Sequence, residues 1–216
     1  MPPPRRTNPN SNANNHPWKA MRITGGSAKG RKLHSPRSNL IRPTSDQVRE
    51  AMFSLIGERV VNSRVLDLFA GTGALGIEAL SRGAAAAVFV DKSIETGRLI
   101  ETNLRISITH PQAAFVMLNL ATTPHLGTLH SYGTSPGFNL VFMDPPYQKQ
   151  LAERVLVLIE KAGILAEEAL IVVEEDRRVN IPAVGLTSLH PIDQRQYGAT
   201  GLWFYEFRST AKHCHA

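Results

Sequence analysis

The residues Asp144-Pro145-Pro146-Tyr147 follow an apolar run at 138–143, and their chemistry suits a flat ring that carries an exocyclic amine. Asp144 and the carbonyl of Pro145 can accept the two amine hydrogens, and Tyr147 can stack on the ring. The prolines cannot donate to a β-ladder, so they end the preceding strand. Ligands of open α/β sheets bind at the carboxyl ends of the strands. We therefore predict Asp144, Pro145, Pro146 and Tyr147 as the catalytic residues that hold the target amine.

A second motif, GTGALG at 71–76, matches the G-x-G-x-x-G pattern between a predicted strand and a predicted helix. Asp91 ends the next predicted strand, where a carboxylate suits a ribose diol. The pattern alone permits a nicotinamide dinucleotide. Asp67 argues against one, because a carboxylate just before Gly71 repels a pyrophosphate but favours the ammonium group of a sulfonium amino acid. We predict that Asp67, Gly71, Gly73 and Asp91 bind S-adenosylmethionine.

Asn119 follows the third predicted strand, where its amide can meet the adenine edge of the same cofactor. Asp67 could instead be structural and accept hydrogen bonds from the loop backbone, and the two roles can coexist. The methyl group of S-adenosylmethionine is already activated by the positive sulfur, so catalysis needs mostly positioning and electrostatic preorganisation. We therefore predict no metal and no covalent nucleophile.

Both motifs require a sheet whose strands end at one edge. Strand and helix signals alternate from residue 64 onward, which predicts an α/β fold. It contains a mostly parallel, doubly wound sheet of seven strands with an antiparallel C-terminal strand. The predicted strands are 64–69, 86–90, 113–118, 138–143, 170–173, 186–190 and 202–207. The predicted helices after the first strand are 74–81, 94–106 and 149–161.

The excess positive charge is confined to the first quarter of the chain. Residues 1–50 contain 10 Lys or Arg and 2 Asp or Glu, whereas the remainder contains 14 and 16. This asymmetry favours a nucleic-acid-binding arm on a neutral body, with a merely solvated surface as the alternative. Glycines separate the short apolar segments of 21–33, which predicts a basic β-hairpin. The cations of this hairpin predicted to bind nucleic acid are Arg22, Lys29, Arg31 and Lys32.

A helix is predicted to follow Pro43, with a capping box at 44–47 and an end at Ile56 before Gly57. Its inward face is predicted to consist of Val48, Met52 and Leu55. A second stripe either walls the site or is an ordinary exposed stripe, and it consists of Asp46, Arg49 and Phe53. The predicted domain organisation is a disordered tail, a basic extension, a methyltransferase domain and a C-terminal tail, at 1–20, 21–57, 58–208 and 209–216.

Composition limits the cellular context. Apolar residues make up 42% of the chain, which is enough for a globular core. No apolar run reaches the ~18 residues of a membrane helix, and the polar N-terminus lacks a secretory signal. Cys214 is the single cysteine, so an internal disulfide is impossible. We expect a cytoplasmic protein that does not associate with a membrane and that acts as a monomer.

The motifs, in this order, resemble the RsmD family, which comprises bacterial 16S rRNA guanine-N2 methyltransferases with a Rossmann-like class I methyltransferase fold. The resemblance covers residues 21 to 208. The Arg-Pro-Thr segment that begins at Arg42 is its most specific part, because other methyltransferases share the glycine loop and Asp-Pro-Pro-Tyr. The segments that carry the resemblance are 21–26, 30–33, 42–50, 66–83 and 144–147.

The resemblance implies roles for individual residues. The residues that it implies contact S-adenosylmethionine are Asp67, Gly71, Gly73, Asp91 and Asn119. It also implies that 144–147 hold the target guanine and that the segment containing Arg42, Thr44 and Arg49 borders the site and binds RNA. The implied substrate is an assembled or partly assembled small ribosomal subunit. The tail before Met21 and the loop at 122–137 depart from the family pattern.

Other functions share parts of this chemistry. A DNA adenine-N6 methyltransferase also acts on an amine, but such enzymes usually carry a target-recognition region, and little chain remains here to build one. A protein-glutamine methyltransferase would favour Asn in place of Asp144. A dehydrogenase would bind a nicotinamide cofactor, and a non-catalytic assembly factor would retain only the fold. The intact donor and acceptor motifs favour rRNA guanine-N2 methylation.

Overall fold

The computed structural model describes residues 21–35, 45–108, 112–133, 137–146, 151–181 and 185–209. The predictions for the 1–20 tail, for Arg42, for Thr44 and for Tyr147 lie outside the described residues. So does most of the predicted C-terminal tail.

Seven strands form a single sheet, in the order β3-β2-β1-β4-β5-β7-β6. The strands are β1 (Arg64–Leu68), β2 (Ala86–Asp91), β3 (Ala113–Met117), β4 (Phe138–Met143), β5 (Leu165–Asp176), β6 (Leu189–Tyr197) and β7 (Thr200–Phe207). The α-helices are α1 (Asp46–Ile56), α2 (Ala74–Ser81), α3 (Ile94–Ser107) and α4 (Leu151–Lys161). Strands β1 to β5 pair in parallel, and β7 is antiparallel to both β5 and β6. The predicted mostly parallel sheet with an antiparallel C-terminal strand is confirmed.

Two apolar cores cover the two faces of the sheet. One core contains residues of α1, α2 and α3 together with the hairpin of the extension. The other contains α4 and the segment after β3, from which Leu120, Leu126 and Leu129 are buried. Because helices cover both faces, the central strands are apolar on both sides, as in β4. Because β1 to β5 pair in parallel, their carboxyl ends share one edge of the sheet.

Helix α1 has a capping residue at each end. The Ser45 side chain is the N-cap and accepts a hydrogen bond from the Val48 N–H. Gly57 follows the helix with φ 59°, a conformation that glycine adopts without strain. Val48 and Met52 are buried as predicted, but the prediction for Leu55 was wrong, since it is 43% exposed. Its place on the inward face is taken by Ile56.

Two predicted strands had the wrong bounds. Strand β5 extends over Leu165–Asp176 rather than 170–173, and its N-terminal part includes a register shift and Glu168 at φ 59°. Strand β6 is Leu189–Tyr197 rather than 186–190. It is an edge strand whose side chains are mostly exposed, so backbone pairing with β7 defines it and no apolar period marks it. Pro191 is tolerated there because an edge strand has a side without ladder bonds.

The basic hairpin forms around a single antiparallel bridge between Arg22 and Lys32. The Ile23 N–H donates to the Arg31 carbonyl at 3.0 Å, and the Leu33 N–H donates to the Met21 carbonyl at 2.9 Å. Met21, Ile23 and Leu33 are buried in the first core. The hairpin is therefore packed onto the α/β domain. Within the described part of the chain, no helix is long and apolar enough to span a bilayer.

Candidate functional site

The two predicted motifs begin side by side at the carboxyl edge of the sheet. Strands β1 and β4 are neighbours, and Leu68 pairs with Met143 at their ends. The Asp144 N–H lies 3.5 Å from the Leu68 carbonyl oxygen. The glycine loop that follows β1 and the Asp-Pro-Pro turn that follows β4 therefore leave the sheet from adjacent positions. A ligand at one motif would therefore lie beside a ligand at the other.

The glycine loop adopts a conformation that few other residues tolerate. Gly71 and Gly73 have φ values of 53° and 76°, and Phe69 just before them has φ 62° despite its side chain. Strained residues of this kind are concentrated at functional sites. A Cβ atom on Gly73 would lie 3.0 Å from Ile100 Cγ1, so α3 packs closely under the loop. A Cβ on Gly71 would meet only the Phe69 carbonyl oxygen, at 3.8 Å, which leaves space for a ligand.

The third glycine of the motif permits α2 to pack against the sheet. A Cβ atom on Gly76 would lie 2.3 Å from Phe89 Cε1 on β2, which no real contact allows. The Gly76 N–H also donates to Asp67 Oδ2 at 2.9 Å. The first turn of α2 is thus fixed to β1 and β2, and the loop before it starts from a rigid base.

Asp67 is a nearly buried carboxylate, with 2% of its surface exposed. Burial raises the pKa of Asp67, the Gly76 hydrogen bond lowers it and the nearby charge of Asp91 raises it, so that the resulting pKa is about 8. The structural role that the sequence left open is therefore present. The raised pKa means that the charged form of Asp67 is disfavoured, and a cation beside it would lower the pKa and favour that form.

Asp91 joins the glycine loop to α3. Its Oδ2 accepts from the Gly71 N–H at 3.2 Å, and its Oδ1 accepts from the Ser93 N–H at 3.1 Å. Asp91 is half-buried at the end of β2. A carboxylate offers about four lone-pair sites, so these two bonds leave capacity for a hydroxyl group of a ligand.

Asn119 lies beyond the end of β3, at the same edge of the sheet but farther from β1 than Asp91. Its Oδ1 accepts from the Ala121 N–H at 3.1 Å, which forms a local side-chain turn. Arg154 of α4 stabilises the following segment by donating to the Leu120 carbonyl at 2.5 Å. The Asn119 side chain is exposed, and it therefore is accessible to a ligand placed along this edge.

The Asp-Pro-Pro turn begins directly after Met143, as predicted from the prolines. Asp144 is half-buried, Pro145 is buried and Pro146 is exposed. The Asp144 carboxylate and the Pro145 carbonyl are thus carried by the rigid end of a central strand. The stacking role of Tyr147 stays a prediction, since this residue lies outside the described part of the chain.

The cations of the hairpin lie on the surface of the extension that faces solvent. Arg22, Lys29, Arg31 and Lys32 are all exposed, while the apolar residues between them are buried. The Arg31 Nη1 donates to the Ile106 carbonyl at the end of α3 at 2.6 Å, so part of its side chain is committed to docking. Arg22 Nε lies 3.6 Å from Asp46 Oδ2, so Lys29 and Lys32 form the more available part of this basic surface.

Arg49 does not belong to that surface, and its assignment as an RNA-binding residue was wrong. Its side chain is 0% exposed. Its Nε lies 3.3 Å from Glu78 Oε2, its Nη2 lies 3.0 Å from Asp46 Oδ1, and it also donates to the Arg22 carbonyl. A cation enclosed in this way cannot reach a phosphate. Phe53 of the same stripe is also buried and contacts Phe142 of β4 at 5.4 Å between ring centroids.

Sequence reasoning missed the buried polar residues that attach the extension to the domain. Glu78 of α2 is 0% exposed and accepts from the Thr24 N–H and hydroxyl, both at 2.8 Å, and from Arg82 Nε at 2.8 Å. Ser81 accepts from the Ala28 N–H at 2.9 Å. The available signal was that Glu78 is a single charge in the otherwise apolar first turns of α2.

Metal ligation has no candidate in the part of the chain that the structure describes. No group of three or more His, Cys, Asp or Glu side chains there could hold an ion. The residues assembled at the edge of the sheet are carboxylates, glycines, an amide and a proline-rich turn. Their chemistry suits binding and orientation of organic ligands.

Comparisons with known proteins identify relatives in sequence and in fold. The family described as conserved hypothetical protein 95 matches residues 21–206. Ribosomal RNA small subunit methyltransferase D of Escherichia coli (strain K12) is 40% identical over 172 residues, which covers 79% of this chain and 82% of that protein. YlbH of Bacillus subtilis (strain 168) is 38% identical over 189 residues, which covers 87% of this chain and 100% of that protein.

A solved structure shows the same architecture. The yhhF protein from Escherichia coli superposes with a TM-score of 0.71 at 34% sequence identity, and the match covers 88% of this chain and 99% of that one. The identity and the near-complete coverage of these relatives exceed what a shared fold alone would produce. The chain therefore belongs to the RsmD family of rRNA methyltransferases.

Proposed function

We propose that this protein transfers a methyl group from S-adenosylmethionine to the exocyclic N2 of a guanine in 16S rRNA of the small ribosomal subunit. The observation that carries the proposal is the adjacency of the glycine loop and the Asp-Pro-Pro turn, whose strands end together at Leu68 and Met143. A donor bound at the first and an acceptor bound at the second would meet at one edge of the sheet. The family of the chain supports rRNA as the substrate class.

The residues present fit S-adenosylmethionine. The open space at Gly71 admits the cofactor close to the backbone, and the Asp67 carboxylate favours its ammonium group. Asp91 at the end of β2 can accept from the ribose diol, and Asn119 at the end of β3 can meet the adenine edge. The cofactor supplies a methyl group on a positively charged sulfur, which needs no further activation.

The acceptor turn supplies the rest of the chemistry. An exocyclic amine conjugated to a purine is a poor nucleophile, because its lone pair is delocalised into the ring. Asp144 and the Pro145 carbonyl, held at the end of β4, accept its two hydrogens and draw the nitrogen toward tetrahedral geometry. The lone pair then points at the electrophile, and Asp144 can accept the proton as the new bond forms. Tyr147 stacks on the base, which must first be unstacked from its RNA neighbours.

The basic surface of the hairpin supports RNA as the molecule that carries this base. Arg22, Lys29, Arg31 and Lys32 are exposed at the start of the domain, and cations of this kind bind phosphates of any sequence. Arg42 and Thr44 complete the proposed RNA-binding set on the segment that joins the hairpin to α1. The base itself is selected at the acceptor turn, so affinity and chemistry are divided between two regions.

The experiment that tests the proposal is a map of methylated nucleotides in 16S rRNA from cells with and without the gene. We expect one N2-methylguanine to disappear with the gene and to return with the wild-type protein. A chain carrying Asp144→Ala should not restore it. Loss of an N6-methyladenine in DNA, or an unchanged 16S rRNA methylation pattern, would contradict the proposed substrate.

A further inference from the structure

We infer that Asn103 is a positioning residue that holds the glycine loop in its ligand-binding conformation and ties that loop to the RNA-binding extension. Asn103 is on α3, and its side chain is 0% exposed. It lies at the junction of three parts of the molecule: the helix itself, the loop at 71–73 and the residue that follows the hairpin. The inference rests on the proposed binding of S-adenosylmethionine at this loop.

The Asn103 amide uses its donors and its acceptor at this junction. Its Nδ2 donates to the Thr72 carbonyl at 2.9 Å and to the His34 carbonyl at 3.0 Å. Its Oδ1 accepts from the His34 N–H at 2.8 Å. The opposite orientation of the amide would place its oxygen against two carbonyls, so the network determines which atom points where. The bonds to His34 mimic the pairing of two backbone strands.

The bond to Thr72 acts on the part of the loop with the most backbone freedom. Gly71 and Gly73 flank Thr72, and glycines lose more conformational entropy on ordering than other residues do. A hydrogen bond to the carbonyl between them fixes the peptide plane that leads into Gly73. Ile100, one turn before Asn103 on α3, supports the same loop from below Gly73. One face of α3 therefore holds the loop through an apolar contact and a hydrogen bond.

The bonds to His34 connect this support to the extension. Leu33, the preceding residue, closes the hairpin through its hydrogen bond to Met21, and the Thr72 hydroxyl lies 3.5 Å from Met21 Sδ. The start and the end of the hairpin thus both reach Thr72, one directly and one through Asn103. Removing the Asn103 amide frees the glycine loop and one anchor of the extension together.

Ser81 provides a matched control. Its hydroxyl also joins the extension to the domain, since it accepts from the Ala28 N–H at 2.9 Å and donates to the Gly25 carbonyl at 2.7 Å. It is buried on α2 and makes these bonds at the far end of the helix from the glycine loop. Ser81→Ala therefore loosens the extension without removing a bond to the loop.

The test is calorimetric titration of S-adenosylmethionine into the full-length wild-type protein and the variants, at a temperature where each is folded. We expect Asn103→Ala to weaken binding about tenfold, the effect of losing one buried hydrogen bond that orders the site. Ser81→Ala should remain within about twofold of wild type although its melting temperature falls. Asn103→Asp keeps the side-chain volume and the acceptor for His34 but loses both donors, so it should weaken binding at least as much as Asn103→Ala.

The possible outcomes distinguish a failure of the inference about Asn103 from a failure of the proposed function. Wild-type affinity in the Asn103→Ala protein would overturn the inference, and Asn103→Asp serves the same purpose if Asn103→Ala does not fold. Equal weakening by Asn103→Ala and Ser81→Ala would also overturn it, because the effect would then come from docking of the extension alone. A wild-type protein that does not bind S-adenosylmethionine would instead contradict the proposed function.

Discussion

Two buried carboxylates on the same face of the sheet have opposite surroundings. Glu78, under the extension, is met by two guanidinium groups, those of Arg49 at 3.3 Å and Arg82 at 2.8 Å. Asp67, under the glycine loop, is acted on by one backbone N–H and by the repulsive charge of Asp91. Both are almost fully excluded from solvent.

In the proposed function, this difference separates a structural site from one that is prepared for a ligand. The Glu78 charge is compensated within the protein, so its cluster holds the extension in place and has no use for a further cation. The Asp67 charge is disfavoured until a positive group arrives, and the ammonium of S-adenosylmethionine would provide one. The same residue chemistry at similar burial thus serves attachment in one region and, in the proposed function, recognition of a ligand in the other.

The largest expected effect comes from removing the compensated carboxylate. Glu78→Ala removes one of the two carboxylates that contact the buried Arg49, with Asp46 left in place, and leaves Thr24 without its acceptor. We therefore expect a loss of about 3–5 kcal/mol in the free energy of unfolding. Chemical denaturation measures it. The matched control is Glu101→Gln, which breaks an exposed ion pair with Arg105 and should cost about 0.5 kcal/mol or less. Similar losses in the two variants would mean that the Glu78 cluster does not anchor the extension.

The second-largest expected effect is the pH dependence of stability that Asp67 causes. The folded-state pKa of Asp67 is about 8, whereas the ordinary value is 3.8, so between these values the folded protein keeps a proton that the unfolded chain has released. The free energy of unfolding contributed by Asp67 therefore falls as pH rises through this window, by up to about 1 kcal/mol per pH unit, and levels off above it.

Denaturation of wild type and Asp67→Asn at pH 5 to 9 isolates this contribution. Asn can still accept from the Gly76 N–H, so the variant should fold and should lose the part of the pH dependence that Asp67 supplies. It should become more stable than wild type at the alkaline end. Parallel profiles of stability against pH for the two proteins would show that the pKa of Asp67 is not raised in the folded protein.

A smaller effect on RNA binding is expected from removing exposed cations of the extension. Lys29→Ala and Lys32→Ala should each weaken RNA binding and reduce the slope of log affinity against log salt by about 0.7–0.9, since each removes one phosphate contact. Neither should change the free energy of unfolding by more than about 0.5 kcal/mol. Fluorescence titration of a 16S rRNA fragment at several salt concentrations measures the slope. An unchanged slope in both variants would move the RNA-binding surface away from the hairpin.

The parts of the fold with a strong apolar pattern could be predicted from the sequence. Strands β1 and β4, buried on both faces, and helix α2 between the glycine motif and Arg82 were placed within a residue of their bounds. Strand β6 could not be placed, because its exposed edge carries polar side chains and only pairing with β7 defines it. Leu55 failed for a related reason, since a helical period does not show which of two neighbouring faces the rest of the protein covers.

Some residues of the candidate site could likewise be predicted from the sequence, and others could not. Short motifs with fixed backbone needs, such as the glycine loop and the Asp-Pro-Pro turn, were recognisable because their residue types are tied to local geometry. Arg49 was misassigned because the resemblance of its segment to the family pattern does not distinguish a cation that contacts phosphate from one that contacts Glu78. Asn103 carries no sequence signal at all, because its partners are backbone groups distant in the chain.

The central claim is that Asp144, together with the Pro145 carbonyl, accepts the hydrogens of the target amine beside a methyl donor bound at the glycine loop. The most direct test is single-turnover methyl transfer to small ribosomal subunits by Asp144→Ala at saturating S-adenosylmethionine, with its affinity for the cofactor measured in parallel. We predict that the rate of transfer falls by about 100-fold or more while cofactor binding is unchanged. Transfer to guanine N2 at the wild-type rate would contradict the account.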